Sequence, residues 1–443
     1  MNYLPQVIFL LIALTAVVLF ARKVGRIRRN IFLGRDVKIS GSKKERWLTV
    51  LRVAIGQSKM TKKPISGALH IIVYVGFVLI NVEVVEIIVD GAFGTHRFLS
   101  DILGGFYNFM IGSFEILALA VLLACEVFLV RRNVLKIKRF FGKEMTSWPK
   151  SDANIILIVE VLLMSAFLLM NAADNQLQIL GVEHYTVSGS FPVSSFLLPF
   201  LESFDVASLI FIERFCWWFH IVGILAFLNY LPYSKHFHIV LAFPNVFYTK
   251  LVAKGRLTNL SEVTDQVKMM MDPSIDPYAT PVASEETPVL PSTFGAKDIT
   301  DLPWTSIMHA YTCTECGRCT DECPASQTGK ILSPRKIMMD VRDRAEELGS
   351  YKDKNGASAH DSLDLLSYIT KEELWACTSC NACTEACPVN NDPLAVIMDL
   401  RRYLVMEQSA APQELNLMFG NIENNGAPWQ FPMSDRFNWA DEE

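Results

Sequence analysis

Apolar and polar positions divide this chain into two halves. Over the first 231 residues, runs at 5–21, 67–89, 104–130, 153–173 and 205–231 are nearly free of charge and are separated by polar loops. Each is long enough, as a helix, to cross a hydrocarbon core of about 30 Å. No comparable run follows. Residues 250–305 are rich in Pro, Asp, Glu, Ser and Thr without sustained periodicity, which predicts an extended connection. Within it, Met269-Met270-Met271 before Asp-Pro reads as the end of a short helix. Helix signals then return. Ser333-Pro334 is an N-cap followed by a first-turn proline, and Gly349 is expected to close that helix. Thr370-Lys371-Glu372-Glu373 is a capping box, and Asp392-Pro393 opens a helix to about Gln408. The pattern predicts an all-α protein.

Loop charge orients the apolar half. Residues 22–63 carry fourteen Lys and Arg against two acids, the next loop has only Arg97, residues 131–151 have seven, and residues 174–204 have none. This alternation is the positive-inside pattern. It predicts an N-terminus outside and everything past residue 232 in the cytoplasm. Arg22, Lys23 and Arg26 follow the first run rather than precede it, so the run is expected to be an anchor helix and not a cleaved signal. Composition agrees: 51% of residues are hydrophobic and 20% charged, against about 25% charged in soluble proteins. That excludes a simple cytosolic enzyme, and 28 Phe and 8 Trp exclude disorder. A net charge of −5 gives no reason to expect nucleic acid.

Eight of the ten cysteines lie in two motifs. Cys313, Cys316, Cys319 and Cys323 precede Pro324; Cys377, Cys380, Cys383 and Cys387 precede Pro388. Both follow C-x2-C-x2-C-x3-C-P, the spacing of two-cluster bacterial ferredoxins, in which the fourth cysteine crosses to the other cluster. The expected sets are therefore Cys313, Cys316, Cys319 with Cys387, and Cys377, Cys380, Cys383 with Cys323, each on one 4Fe-4S cluster. Structural zinc would also take four thiolates, but zinc ribbons use separated C-x2-C pairs.

Histidine within a bilayer is costly and marks function, and neutral imidazole is an axial ligand of haem iron. His70 lies near the start of the second run and His220 in the middle of the fifth; His238 follows eighteen residues later. Eighteen residues make five helical turns, so His220 and His238 share a face if the helix continues past Pro232. His236 would then face roughly 160° away from His238. The plainer alternative is that each imidazole is a hydrogen-bonded core residue.

Leu69-His70-Ile71-Ile72, His220 and Pro232-Tyr233-Ser234-Lys235-His236-Phe237-His238 resemble the cytochrome b subunit of respiratory nitrate reductase and the small cytochromes of heterodisulfide-reductase-like complexes. The resemblance spans about residues 65–240. It implies that His70 and His238 hold a haem b on the cytoplasmic side and that His220 matches a ligand of a second haem. The position facing His220 is Ile80, which cannot bind iron, so one haem is the firmer expectation and a second would need another partner. Residues 305–408 resemble the α-helical ferredoxin domain of the heterodisulfide reductase iron-sulfur subunit, with similarity to succinate dehydrogenase iron-sulfur subunits. The 64 residues between motif starts are too many for the compact strand-rich ferredoxin.

The resulting organisation is an anchor helix (1–21), a basic cytoplasmic loop (22–66), a haem-binding bundle (67–240), a Pro-rich linker (241–305), a two-cluster ferredoxin domain (306–408) and a tail (409–443). In the tail, Asn-Asn-Gly-Ala-Pro-Trp, Arg436 and Trp439 resemble a family extension that docks on a neighbouring subunit; Trp429, Phe431, Phe437 and Trp439 would either anchor that docking or cap the domain's own core. Within the bundle, Glu83 and Glu86 either relay quinol protons or form ion pairs. Arg214 is expected to pair with an acid from another helix, because neighbours on one helix do not face each other. Cys125 and Cys216 read as packing residues, and Trp217, Trp218, Tyr230 and Tyr233 as an aromatic belt or a cofactor lining.

All eight motif cysteines are used by clusters, and no dinucleotide fingerprint is present. The expected function is an electron-transfer subunit of a quinone-linked oxidoreductase in a prokaryotic cytoplasmic membrane. Electrons would pass between quinone, haem b, two 4Fe-4S clusters and a cytoplasmic iron-sulfur or flavin catalytic subunit of heterodisulfide-reductase-like type. The alternatives are a membrane-anchored iron-sulfur redox sensor, and a scaffold with structural metal.

Overall fold

The computed structural model describes residues 3–253, 256–274 and 293–441. Helix accounts for 69% of the protein and no strand forms among the described residues, so the fold is all-α as expected. The apolar half comprises α1 (Leu4–Ile31), a short α2 (Lys43–Val50), α3 (Pro64–Phe93), α4 (Gly105–Asn133), α5 (Trp148–Ile179) and α6 (Val206–Tyr230). All but α2 are long and apolar enough to span a membrane. Their common core contains Phe9, Ile80, Tyr107, Ile111, Phe114, Phe167 and Ile221, together with Cys125 and Cys216 as packing residues. Small residues let the helices approach: a Cβ on Gly76 would collide with the Val121 side chain, and one on Gly223 would meet Leu163 at 2.7 Å.

Buried polar atoms are mostly satisfied within the bundle. Glu115 is fully buried and accepts from the Val193 and Ser194 amides at 2.9 and 3.1 Å and from Asn171 at 3.1 Å, which ties the loop before α6 to α4 and α5. Arg214 differs from expectation. Its guanidinium folds back onto the adjacent Glu213, which also accepts from Tyr185 at 3.1 Å. The arginine side chain is long enough to curl around its own helix, so the rule for facing positions does not bind it.

The first apolar run is only part of α1. Its last ten residues carry the basic cluster and extend to Ile31, with Arg28 and Arg29 in the final turn, where they oppose the helix dipole. This end reaches the second half of the protein. Ile27 and Ile31 join one hydrophobic cluster with Leu231, Phe237, Ile299, Leu302, Ile307, Ile337, Val341, Leu348, Ile397 and Leu400. The two halves share a core.

After α6 the chain does not continue as one helix. It ends at Tyr230, turns twice at Leu231–Tyr233 and Lys235–Phe237, and restarts as α7 (His238–Phe247). Pro232 lacks a donor and Ser234 caps the second turn by accepting from the His236 amide at 3.0 Å, which fixes the break. A short helix at Ser261–Met271 follows, as Met269-Met270-Met271 suggested. The most Pro-rich stretch, 275–292, lies outside the described residues. Ala296, Ile299 and Leu302 are already part of the second core.

That second half contains α8 (Trp304–Tyr311), α9 (Pro334–Asn355), α10 (Lys371–Trp375), α11 (Pro393–Met406) and α12 (Gln413–Asn425). The capping signals act as expected: Ser333 accepts from the Lys336 amide at 3.3 Å, Thr370 and Glu373 form a capping box, and Asp392 accepts from the Ala395 amide at 3.0 Å. Gly349 does not close α9, which runs on to Gly356. It sits inside the helix because Asn30 packs on it: a Cβ there would collide with Asn30 Oδ1. Trp429, Phe431, Phe437 and Trp439 are exposed and cap no core.

Candidate functional site

The two cysteine motifs are built alike. Cys313 follows the end of α8 and Cys377 follows the end of α10. Two and four residues on, Glu315 and Gly317 have φ of 52° and 74°, while Ser379 and Asn381 have φ of 56° and 61°. These left-handed residues curl each loop tightly between its first and third cysteines. Gly317 has a second reason to lack a side chain, since a Cβ would meet Arg335 at 2.5 Å and the Arg139 carbonyl at 3.0 Å.

Cys313, Cys316, Cys319 and Cys387 line one small cavity, so the fourth cysteine of the second motif meets the first three of the first. In the other set, Cys377 lies within electrostatic reach of Cys323, Cys380 and Cys383. Burial pushes the free thiols up, Cys313 to about 12 and Cys387 to about 11. Four thiolates gathered in such a place need compensating positive charge, which iron supplies. Backbone amides also point at sulfur, Asn391 at Cys387 (3.2 Å) and Ser379 at Cys377 (3.4 Å). The donor set fits a cubane cluster.

The first cavity faces the bundle. Lys59, in the loop before α3, donates to the Cys387 carbonyl at 3.1 Å, and Arg318 of the first motif donates to the Lys59 carbonyl at 3.1 Å. Lys235 donates to Glu315 at 2.5 Å, and Arg342 reaches the other oxygen of Glu315 at 2.7 Å. These two cations hold the Glu315 carboxyl below the usual range despite its burial. Cys380 of the second motif is exposed on the protein surface.

His70, on the first turns of α3, and His238, at the start of α7, come close enough to interact electrostatically, and His70 also senses Arg318. The His238 Nδ1 sits 3.0 Å from the Lys235 carbonyl, which leaves Nε2 as the nitrogen that could coordinate a metal. The buried Nδ1 of His70 has no hydrogen-bond partner among the described residues. An imidazole with one unpaired ring nitrogen, within electrostatic reach of another with a fixed tautomer, fits a haem ligand pair. His236 does not face away as a continuous helix would require; its ring meets that of His238 at 5.6 Å, a consequence of the break after Tyr230. His220 is 2% exposed with Nδ1 3.0 Å from the Leu163 carbonyl, and Ile80 is buried in the same core.

Sequence reasoning missed a second polar assembly at the opposite end of the bundle. Asp174 of α5 is bound by Arg97 (2.6 Å from Nε) and by His96 at 3.4 Å; Arg97 also donates to Tyr107 at 3.1 Å and Asn171 at 3.0 Å. The His96 and His184 rings lie 5.3 Å apart. The one available signal was the His96-Arg97 pair in a loop otherwise poor in charge.

Fold and site together define an all-α protein in which a five-helix apolar bundle is joined to a dicluster ferredoxin domain. Residues 308–391 match the 4Fe-4S dicluster domain family. The chain is 29% identical to the probable iron-sulfur-binding oxidoreductase FadF of Bacillus subtilis, over 98% of this chain and 60% of that protein. It is 26% identical to the EtfAB:quinone oxidoreductase of Syntrophomonas wolfei, over 88% of this chain and 53% of the other. It is 31% identical to the probable membrane-anchored ferredoxin of Chromohalobacter salexigens, over 33% of this chain and 24% of that protein. The chain thus spans somewhat more than half the length of the first two relatives. No solved structure matches. The relatives include iron-sulfur oxidoreductases and heterodisulfide-reductase-type ferredoxins, as the motif resemblance implied.

Proposed function

We propose that this chain is the electron-transfer part of a membrane quinone-linked oxidoreductase. Haem b and two 4Fe-4S clusters, when bound, each accept and donate single electrons. His70 and His238 hold the haem. Cys313, Cys316, Cys319 and Cys387 hold the cluster nearer the membrane, and Cys377, Cys380, Cys383 and Cys323 the outer one. One observation carries this reading: the paired histidines lie at the end of the bundle that abuts the first cysteine cavity, where Lys235, whose carbonyl faces His238, binds Glu315 of the first motif. Haem and clusters so held would pass single electrons, in either direction, between the quinone pool and a cytoplasmic iron-sulfur or flavin partner docked near exposed Cys380. The basic ends of the bundle and the ferredoxin part lie on one side, which supports an N-terminus outside and clusters in the cytoplasm. A quinone substrate is supported by the similarity to the EtfAB:quinone oxidoreductase of Syntrophomonas wolfei.

The test is a reduced-minus-oxidised visible spectrum of the anaerobically purified full chain, with metal analysis. A b-type α-band over broad thiolate-iron absorption supports the reading. A colourless, zinc-containing protein overturns it, and clusters without haem overturn the membrane part of the route.

A further inference from the structure

We propose that the cavity between α1, α3, α5 and α6, at the end of the bundle away from the clusters, binds the ring of an isoprenoid quinone. This assigns a place to the quinone of the preceding reading and rests on it. The cavity has a volume of about 330 Å³, within the range of small-molecule sites. Phe9, Trp217 and Trp218 supply its aromatic wall, with Phe9 and Trp217 rings 5.8 Å apart. Glu83, His96 and His184 are polar groups of the lining, which also includes the ion-paired Arg97, Asp174, Glu213 and Arg214.

Two of those polar groups each keep one buried atom without a hydrogen-bond partner among the described residues. Glu83 is 3% exposed, lines the cavity, and its Oε2 has no hydrogen-bond partner among the described residues. His96 Nδ1 is likewise buried and unpaired, while the other ring nitrogen is held by Asp174 at 3.4 Å. Unpaired buried polar atoms are costly, and a ligand satisfies them. By contrast Glu86 is fully engaged, accepting from the Leu99 amide at 2.8 Å and Tyr107 at 2.9 Å, and so belongs to the wall. An apolar, planar ring with two oxygen functions matches one carboxyl, one imidazole and an aromatic wall. Interconversion of quinol and quinone moves two electrons and two protons. The electrons go to or come from haem b one at a time, and the protons are exchanged with Glu83 and His96. The outer faces of the surrounding helices expose Leu10, Leu14, Val85 and Phe215, a surface suited to an isoprenoid tail.

The site lies far from His70. Glu83 is thirteen residues along α3 from it, roughly 20 Å at 1.5 Å per residue. His220 is three residues beyond Trp217, roughly 4.5 Å along α6. The ring would therefore sit beside the histidine that lacks a facing ligand.

The test is photolabelling of the intact, cofactor-loaded chain in lipid nanodiscs with a ring-azido quinone, followed by peptide mapping. Labelling within residues 5–9, 83–97, 170–184 or 213–218 that excess unlabelled quinone displaces is expected. Displaceable labelling confined to segments that do not line the cavity overturns this site but leaves the quinone-linked reading standing. No displaceable labelling anywhere overturns both. Binding of an alkyl-hydroxyquinoline N-oxide, followed by quenching of its fluorescence, provides a second readout. Glu83→Gln should weaken it about tenfold with unchanged iron content, and unchanged affinity in that variant overturns the role given to Glu83.

Discussion

Arg335 of α9 is 1% exposed and binds Glu144, from the loop between α4 and α5, at 2.7 Å. The same guanidinium donates to the Arg139 carbonyl at 2.7 Å and packs against Gly317 of the first cysteine loop. One buried cation thus joins the bundle, the ferredoxin helix and the cluster loop. Removing one partner of such a buried pair leaves an uncompensated charge, at a cost of about 3–5 kcal/mol. Arg335→Met should therefore loosen the joint, and hydrogen exchange at residues 137–145 and 313–320 should rise together. Faster exchange confined to one of these segments would show that the residue is not shared between them.

The same pair predicts a pH dependence. Ser333 and Arg335 hold the Glu144 carboxyl below its ordinary value of 4.5, outweighing its partial burial. A carboxyl depressed in the folded state contributes stability that is full above its unfolded value and lost as pH falls through the folded one. Exchange at residues 137–145, corrected for intrinsic rate, should accelerate as pH drops below about 4.5 in the native protein. In Glu144→Gln that acid-dependent part should vanish.

His70→Ala and His238→Ala should each remove the same haem. The b-type α-band is the measure, and full retention in both variants would exclude the pair. His236→Ala separates the neighbouring ring, which touches His238 at 5.6 Å, from the ligand itself. It should shift the band's midpoint potential and leave haem content intact.

Cys387→Ser tests the crossed sets. It should damage the cluster held by the first motif, since Cys387 shares a cavity with Cys313, Cys316 and Cys319. Electron paramagnetic resonance of the reduced protein distinguishes the clusters. A change restricted to the outer cluster's signal would return Cys387 to its own motif.

Much of this architecture was legible in the sequence because the physics behind it is local. A run of uncharged residues, a capping box or a C-x2-C-x2-C-x3-C-P motif declares its structure within a few turns. What escaped depends on partners distant along the chain. Asp174, His96 and His184 come together only when the loop after α3 folds over the end of α5, so no spacing could announce them. Arg214 was misjudged because side-chain length, not helical phase, decided its partner. The break between His220 and His238 turned on how Pro232 and Ser234 acted together, and it brought His236 onto His238.

Gly349 offers the sharpest check on the shared core. In an exposed helix, replacing glycine by alanine stabilises by about 1 kcal/mol through backbone entropy. Here the added carbon would collide with Asn30 Oδ1. Asn30 cannot swing aside freely, because it is 2% exposed and donates to Tyr311 at 3.1 Å, and Tyr311 in turn donates to Glu346 at 2.9 Å. Overpacking of this kind costs about 1–3 kcal/mol, enough to reverse the sign. Gly349→Ala should lower the midpoint at which heating bleaches the thiolate-iron absorption. Adding Asn30→Ala removes the obstacle, so the double variant should lose less than the two single losses combined, with a coupling of about 0.5 kcal/mol or more. If Gly349→Ala alone raises the midpoint, α1 does not press on α9 as described.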